Sequence, residues 1–314
     1  MTERAGVVVL VAALVIARPA SAEIHRWVDA RGIVHYTDRV TRSAPIAVAL
    51  TSGPVALEAL FELTGTRRQV TGLTRRLMSE FRPAKGQLTT SDEATIVRVV
   101  ARTLTADAVM RLTREEFARG LDRPKLEAKL VWLRSPLGHR IAALEMATAE
   151  PDQDRLLTEF ARQLASVPTS ERRRELIERL DWVSGGSEVS ADIAAALPAS
   201  IARAAAASAP GVHHISRRQI DSQTDEIRAT TAGRVRQATV VSMLYTYRTL
   251  SDEELERYVE FEGTEAGRWY NGLLRRALLA ALTRVFDETA QAVFAAVPPE
   301  RWSCAGNAGA APSP

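Results

Sequence analysis

The chain has 314 residues, with Lys+Arg 41 against Asp+Glu 38 and a formal charge of +3, too small an excess for a protein held on nucleic acid by phosphate neutralisation. At 46% hydrophobic and 25% charged residues the composition is that of a globular chain, which excludes wholesale disorder and a multi-span membrane protein. The one cysteine, Cys304, excludes an internal disulfide framework and any cysteine-rich zinc or iron–sulfur site.

Arg4 precedes the apolar run Ala5 to Ala17, Arg18-Pro19 breaks it, and Ala20-Ser21-Ala22 offers the small side chains that a signal peptidase accepts. Residues 1–22 are therefore expected to be a signal peptide cleaved after Ala22, sending the mature chain to the periplasm or out of the cell. The run holds 13 residues, short of the ~18–20 that span a bilayer, so no membrane span is expected after cleavage. The remaining 292 residues carry 39 basic and 37 acidic side chains. One unpaired thiol suits an oxidising compartment.

Residues 23–44 are expected to form a small β module. Glu23 to Asp29 and Ile33 to Asp38 are β-prone runs around Ala30-Arg31-Gly32, the pattern of a hairpin. If Asp29 faces Gly32, Trp27 faces Val34 and Arg26 faces His35, and His25 and His35 fall on opposite faces, which disfavours a shared metal. Trp27, Asp29, Gly32, His35, Tyr36, Thr37 and Asp38 resemble the signature of a short domain of unknown function, found directly after the signal peptide of many proteobacterial envelope proteins. The resemblance implies an envelope location and a small β-rich fold, with Trp27, Asp29, Gly32, His35, Tyr36 and Asp38 as candidate binding positions. That family often accompanies cell-wall hydrolase or redox domains.

Residues 45–54, with Pro45, Gly53 and Pro54, read as a linker. Beyond it the fold class is mainly α, since aromatics are only 5% and alanine is plentiful. Thr113 with Glu116, and Ser251 with Glu254, have capping-box spacing and mark expected helix starts. Leu126, Leu130, Leu133, Leu137, Ile141 and Leu144 form one apolar stripe through Ser135-Pro136-Leu137-Gly138. There Ser135 can cap and Pro136 can take the first helical position, so two helices should meet at a bend.

The multi-helix body is expected to consist of two related halves, 55–167 and 168–297. At an offset of 129 residues Leu126 falls on Leu255, Leu130 on Val259, Trp132 on Phe261, Ser135 on Thr264, Gly138 on Gly267, Ile141 on Tyr270 and Leu144 on Leu273. Upstream, Leu60 to Gly65 is similar to Leu180 to Gly185. Glu62-Leu63-Thr64-Gly65 and the later Trp132, Ser135, Pro136 and Gly138 resemble a helical domain of unknown function from exported bacterial proteins. In the second half Phe261, Thr264 and Gly267 keep the frame, with Glu265 in place of the proline. The resemblance implies an α-helical periplasmic fold whose landmarks are caps and packing positions. The pattern from Ile215 to Leu250, which contains Gly233, reads as a core helix.

Catalytic motifs are absent from the sequence: there is no Gly-rich phosphate loop, no H-E-x-x-H helix, no EF-hand loop and no G-x-S-x-G elbow. No catalytic residue, metal site or cofactor is expected. His139 lies beside the bend, and the adjacent His213-His214 diverge and read as solvated loop. Glu145, on the helix after the bend, is a candidate acid with no supporting motif. Arginine clusters such as Arg75-Arg76, Arg172-Arg173-Arg174 and Arg275-Arg276 read as solvated, ion-paired helix faces. Residues 298–314, rich in Gly, Ala and Pro, read as a disordered tail that carries Cys304, through which the chain could form a disulfide-linked homodimer.

These features point to an exported, non-enzymatic helical protein that binds a cell-envelope protein or polymer and does not bind nucleic acid. The alternative is a cell-wall hydrolase or lytic enzyme with an unrecognised acidic site, which requires a cleft holding a desolvated carboxylate.

Overall fold

In the computed structural model, residues 53–81, 88–166, 169–208, 216–298 and 301–302 are described, together with the backbone of 25–28 and 34–37. The body is helical: α1 Gly53–Thr64, α2 Thr66–Glu80, α3 Thr90–Thr103, α4 Ala106–Arg119, α5 Arg123–Arg134, α6 Pro136–Ala147, α7 Gln153–Ser166, α8 Glu171–Ser184, α9 Gly186–Ser208, α10 Arg217–Thr246, α11 Asp252–Glu262 and α12 Glu265–Ala296.

Short polar residues open most of these helices, because their side-chain oxygens accept from amides that have no helical partner. Ser135 Oγ accepts from the Gly138 amide at 3.1 Å, with Pro136 in the first turn. Ser251 and Glu254 close the expected capping box, and Ser216 with Gln219 closes a second one at the start of α10. Thr113 does not start a helix. The start lies at Thr105, whose side chain accepts from Ala108, and the strong helix formers that follow carry Thr113 into the interior of α4.

Thr113 is 0% exposed there, and its Oγ1 finds no partner. A buried hydroxyl without a hydrogen bond costs free energy that an isosteric methyl does not. Thr113→Val is therefore expected to raise the unfolding free energy by about 1 kcal/mol. Urea titration checks this, and a loss of stability would show that the hydroxyl has a partner.

The α1/α2 and α8/α9 junctions are built alike. Gly65 and Gly185 have φ of 63° and 70°, the left-handed region that a residue with Cβ avoids. The α5/α6 and α11/α12 junctions also correspond. Thr264 Oγ1 accepts from Gly267 N at 3.2 Å, as Ser135 does from Gly138. A Cβ on Gly138 would lie 2.8 Å from the Trp132 carbonyl carbon, and one on Gly267 would lie 2.5 Å from the Phe261 carbonyl oxygen.

Past the first of these bends α6 reaches α8 and α11 as well as α1 and α5, and past the second α12 reaches α1, α4 and α5 while running along α9. Ile141 of α6 is buried with residues of α8 and α11, among them Ile177, Leu180 and Leu255, and Leu144 packs against the same cluster. Their counterparts Tyr270 and Leu273 of α12 are buried with Leu60, Phe117 and Leu130 of α1, α4 and α5. α12, 32 residues long, spans about 48 Å. The core it completes contains buried residues from Ala56 to Val297, so the two expected halves share one interior. α9 is apolar and long enough by length and composition to cross a membrane, yet half of its most apolar window is buried inside the body.

The arginine clusters differ from the expected solvated faces, because several of them tie helices together. Arg76 is 8% exposed; it bonds the Thr148 carbonyl at 2.7 Å and pairs with Asp154 at 3.2 Å. Arg173 bridges Asp252 at 2.7 Å and the Tyr247 carbonyl at 2.6 Å. Arg275 pairs with Asp192 at 2.8 Å. α10 buries Ile220, Val235, Leu244 and Tyr245, while most of its first half faces solvent. Arg301 and Trp302, expected in the loose tail, pack on the body instead. Arg301 pairs with buried Asp92 at 2.6 Å, and Trp302 stacks on Phe294 with ring centroids 5.1 Å apart.

Candidate functional site

Between α5 and α11, Trp132 lies parallel to Phe261, with centroids 4.3 Å apart, and is flanked by Tyr258 at 6.4 Å. Behind this stack is a cavity of about 220 Å³. Its charged wall residues are Lys129, Glu145, Glu262 and Arg275.

Lys129 sits on the buried face of α5 because it shares the i, i+3, i+4 face with Leu126, Leu130 and Leu133. It is 4% exposed, and Glu262, the last residue of α11, is 1% exposed. The Lys129 ammonium donates to Glu262 Oε1 at 2.7 Å and lies 4.4 Å from the Tyr270 ring centroid and 5.0 Å from that of Phe261. Asn271 donates to Glu262 Oε2 at 2.7 Å. Both carboxylate oxygens are thus satisfied, which an ion pair at this depth requires.

Glu145 stands nearly three turns after the α6 cap, Ser135. Its Oε1 accepts from Tyr258 at 2.6 Å and from Tyr247 at 2.8 Å. Desolvation pushes its pKa up; the two tyrosine hydroxyls and Lys129 oppose that, and Glu262 adds to it. Desolvation likewise drives both phenols well above their ordinary range, so they remain donors. Because the folded-state pKa of Glu145 is raised, the unfolded chain releases this proton first as pH rises. Stability is lost progressively from pH 4.5, the ordinary value, up to the raised folded value, and is constant beyond it. Glu145→Gln is therefore expected to match wild type at low pH and to gain on it as pH rises through that window. Unfolding free energies measured at a series of pH values check this, and parallel curves would contradict it.

Of the sequence landmarks, Trp132, Phe261 and Gly138 come together at this junction, with Ser135, Pro136, Thr264 and Gly267 forming the bends behind it. His139 is exposed. His213, His214 and Cys304 lie outside the described residues, as do Asp29, Gly32 and Asp38, while Trp27, His35 and Tyr36 are described in backbone alone. Among the described residues no group of three His, Cys, Asp or Glu side chains could hold a metal ion. No sequence motif marks Lys129, Glu262, Asn271, Tyr247 or Tyr258. The available signal was Lys129 inside an apolar stripe.

Comparison with known proteins adds one match. Residues 11–59 match the model of DUF4124, a domain of unknown function. The DUF4124 match contains every residue of the N-terminal signature and ends within the first two turns of α1. No curated protein and no solved structure matches the chain.

Proposed function

We propose that the chain is an exported, non-catalytic helical protein of the cell envelope, in which residues 23–44 form a β module and the helical body binds an envelope partner. The observation that carries the binding reading is Trp182. It is 83% exposed on α8, whereas Trp132, Trp269 and Trp302 are each packed against the body. An indole held open to water at that exposure is the side chain that gains most from a partner. Its counterpart in the first half is the exposed Glu62.

The β module is supported by backbone pairing of His25–Val28 with Val34–Thr37. Trp27 pairs with His35 and Arg26 with Tyr36, one residue away from the tighter register read from the sequence. With Val28 opposite Val34, the shift puts positions 25 and 35 on one face, not on opposite faces. The matched left-handed glycines, matched capped bends and the reach of α6 and α12 into both halves support an origin of the body in two related halves, 55–167 and 168–297.

The wall-hydrolase alternative draws on Glu145, a desolvated carboxylate beside a cavity. Against it, Glu262 is committed to Lys129 and Asn271 and cannot serve as the second carboxylate of a glycosidase. The cavity, at about 220 Å³, is also below the ~300 Å³ at which drug-sized ligand pockets usually begin, too small to enclose several sugar rings. In vivo crosslinking of the exported protein tests the binding reading. A discrete adduct that disappears in Trp182→Ala is expected, and adducts indifferent to that change would remove Trp182 as the contact.

A further inference from the structure

The polar members of the central cluster occupy the positions at which the two halves differ. At the 129-residue offset Glu145 corresponds to Leu274, Glu262 to Leu133, Asn271 to Ala142 and Lys129 to Tyr258. Packing alone is satisfied by the apolar member of two of these pairs, as Leu133 at 5% and Ala142 at 2% exposed show. Yet Glu145, Glu262, Asn271 and Lys129 all line the same cavity.

The charges there do not cancel. Lys129 and Glu262 neutralise each other at 2.7 Å, and Arg275 is held by Asp192 and Glu188. When ionised, Glu145 has no cation paired with it: neutral hydroxyls meet Oε1, and no described residue donates to its Oε2. The rings of Trp132, Tyr258 and Tyr270 are part of the same wall and give it an apolar lining. A cavity of about 220 Å³ exceeds the ~150 Å³ that accommodates benzene in an engineered protein cavity.

We propose that this cavity is a binding site for a small aromatic or aliphatic primary ammonium ion, with Glu145 Oε2 accepting its N–H and the Trp132, Tyr258 and Tyr270 rings enclosing its apolar part. The bound cation would compensate the charge that Glu145 carries when ionised. A metal ion is a poorer fit, since Glu145 brings one free oxygen and its neighbours are protonated phenols.

Calorimetric titration of the purified protein with three molecules of similar shape tests the site: 2-phenylethylammonium, 2-phenylethanol and 3-phenylpropionate. Saturable one-to-one binding of the ammonium is expected, about tenfold or more tighter than the alcohol, because the hydrogen bond is charge-assisted. The carboxylate is expected not to bind. Glu145→Gln should abolish the preference for ammonium over alcohol while keeping the far-ultraviolet circular dichroism of wild type. Equal binding of ammonium and alcohol, or no saturable binding by any of the three, overturns the proposal on the wild-type protein alone.

Discussion

Lys129→Met is expected to lower the unfolding free energy by about 3–5 kcal/mol, the cost of stranding a charge in the interior. Glu262, at 1% exposure, would keep Asn271 and lose its counter-charge, and the Phe261 and Tyr270 rings would lose the cation they face. The double substitution Lys129→Met with Glu262→Leu should recover most of the loss. A buried pair replaced by apolar side chains is often neutral, and leucine already stands at the corresponding position 133. Chemical denaturation of both single variants and the double variant gives the coupling directly. A loss below about 1 kcal/mol, the range of surface pairs, would place this pair in solvent and contradict the buried cluster.

Gly138→Ala and Gly267→Ala are expected to cost about 2–3 kcal/mol each, in the range of core overpacking. In both cases the added methyl meets backbone of the preceding helix, the Trp132 carbonyl or the Phe261 carbonyl, and backbone cannot rotate away as a side chain can. Equal losses at the two sites would be the energetic signature of equivalent bends. Gly233 of α10 is the control: a Cβ there meets nothing within 4 Å. Gly233→Ala should stabilise by up to about 1 kcal/mol through helix propensity alone. Thermal unfolding of the three variants separates the effects, and a harmless Gly138→Ala would mean that α5 and α6 are not held at the bend described.

The parts of the fold readable in advance were those governed by local physics. Ser135, Pro136, Ser251 and Thr264 announce helix starts through capping chemistry, and the stripe from Leu126 to Leu144 announces a buried face. Thr113 shows the limit of that reading, since a capping-box spacing inside a run of helix formers is overridden by the run. The reach of α6 and α12 into both halves was invisible because periodicity says which face is buried and not against what. The polar cluster was obscured for the same reason. Glu145 gains its tyrosine partners from 102 and 113 residues away, and Lys129 meets Glu262 across 133 residues. Lys129 within an apolar stripe, and acidic residues where the other half has leucine, were nevertheless present in the sequence as departures from its own pattern.

The distinction between binding and catalysis rests on what Glu145 does. Purified wild type and Glu145→Gln, incubated with isolated cell-wall polymer, separate the two through the soluble fragments released over time. Neither protein is expected to release fragments above buffer. Continuous release by wild type that is abolished in a fully folded Glu145→Gln would contradict it and make Glu145 a catalytic acid.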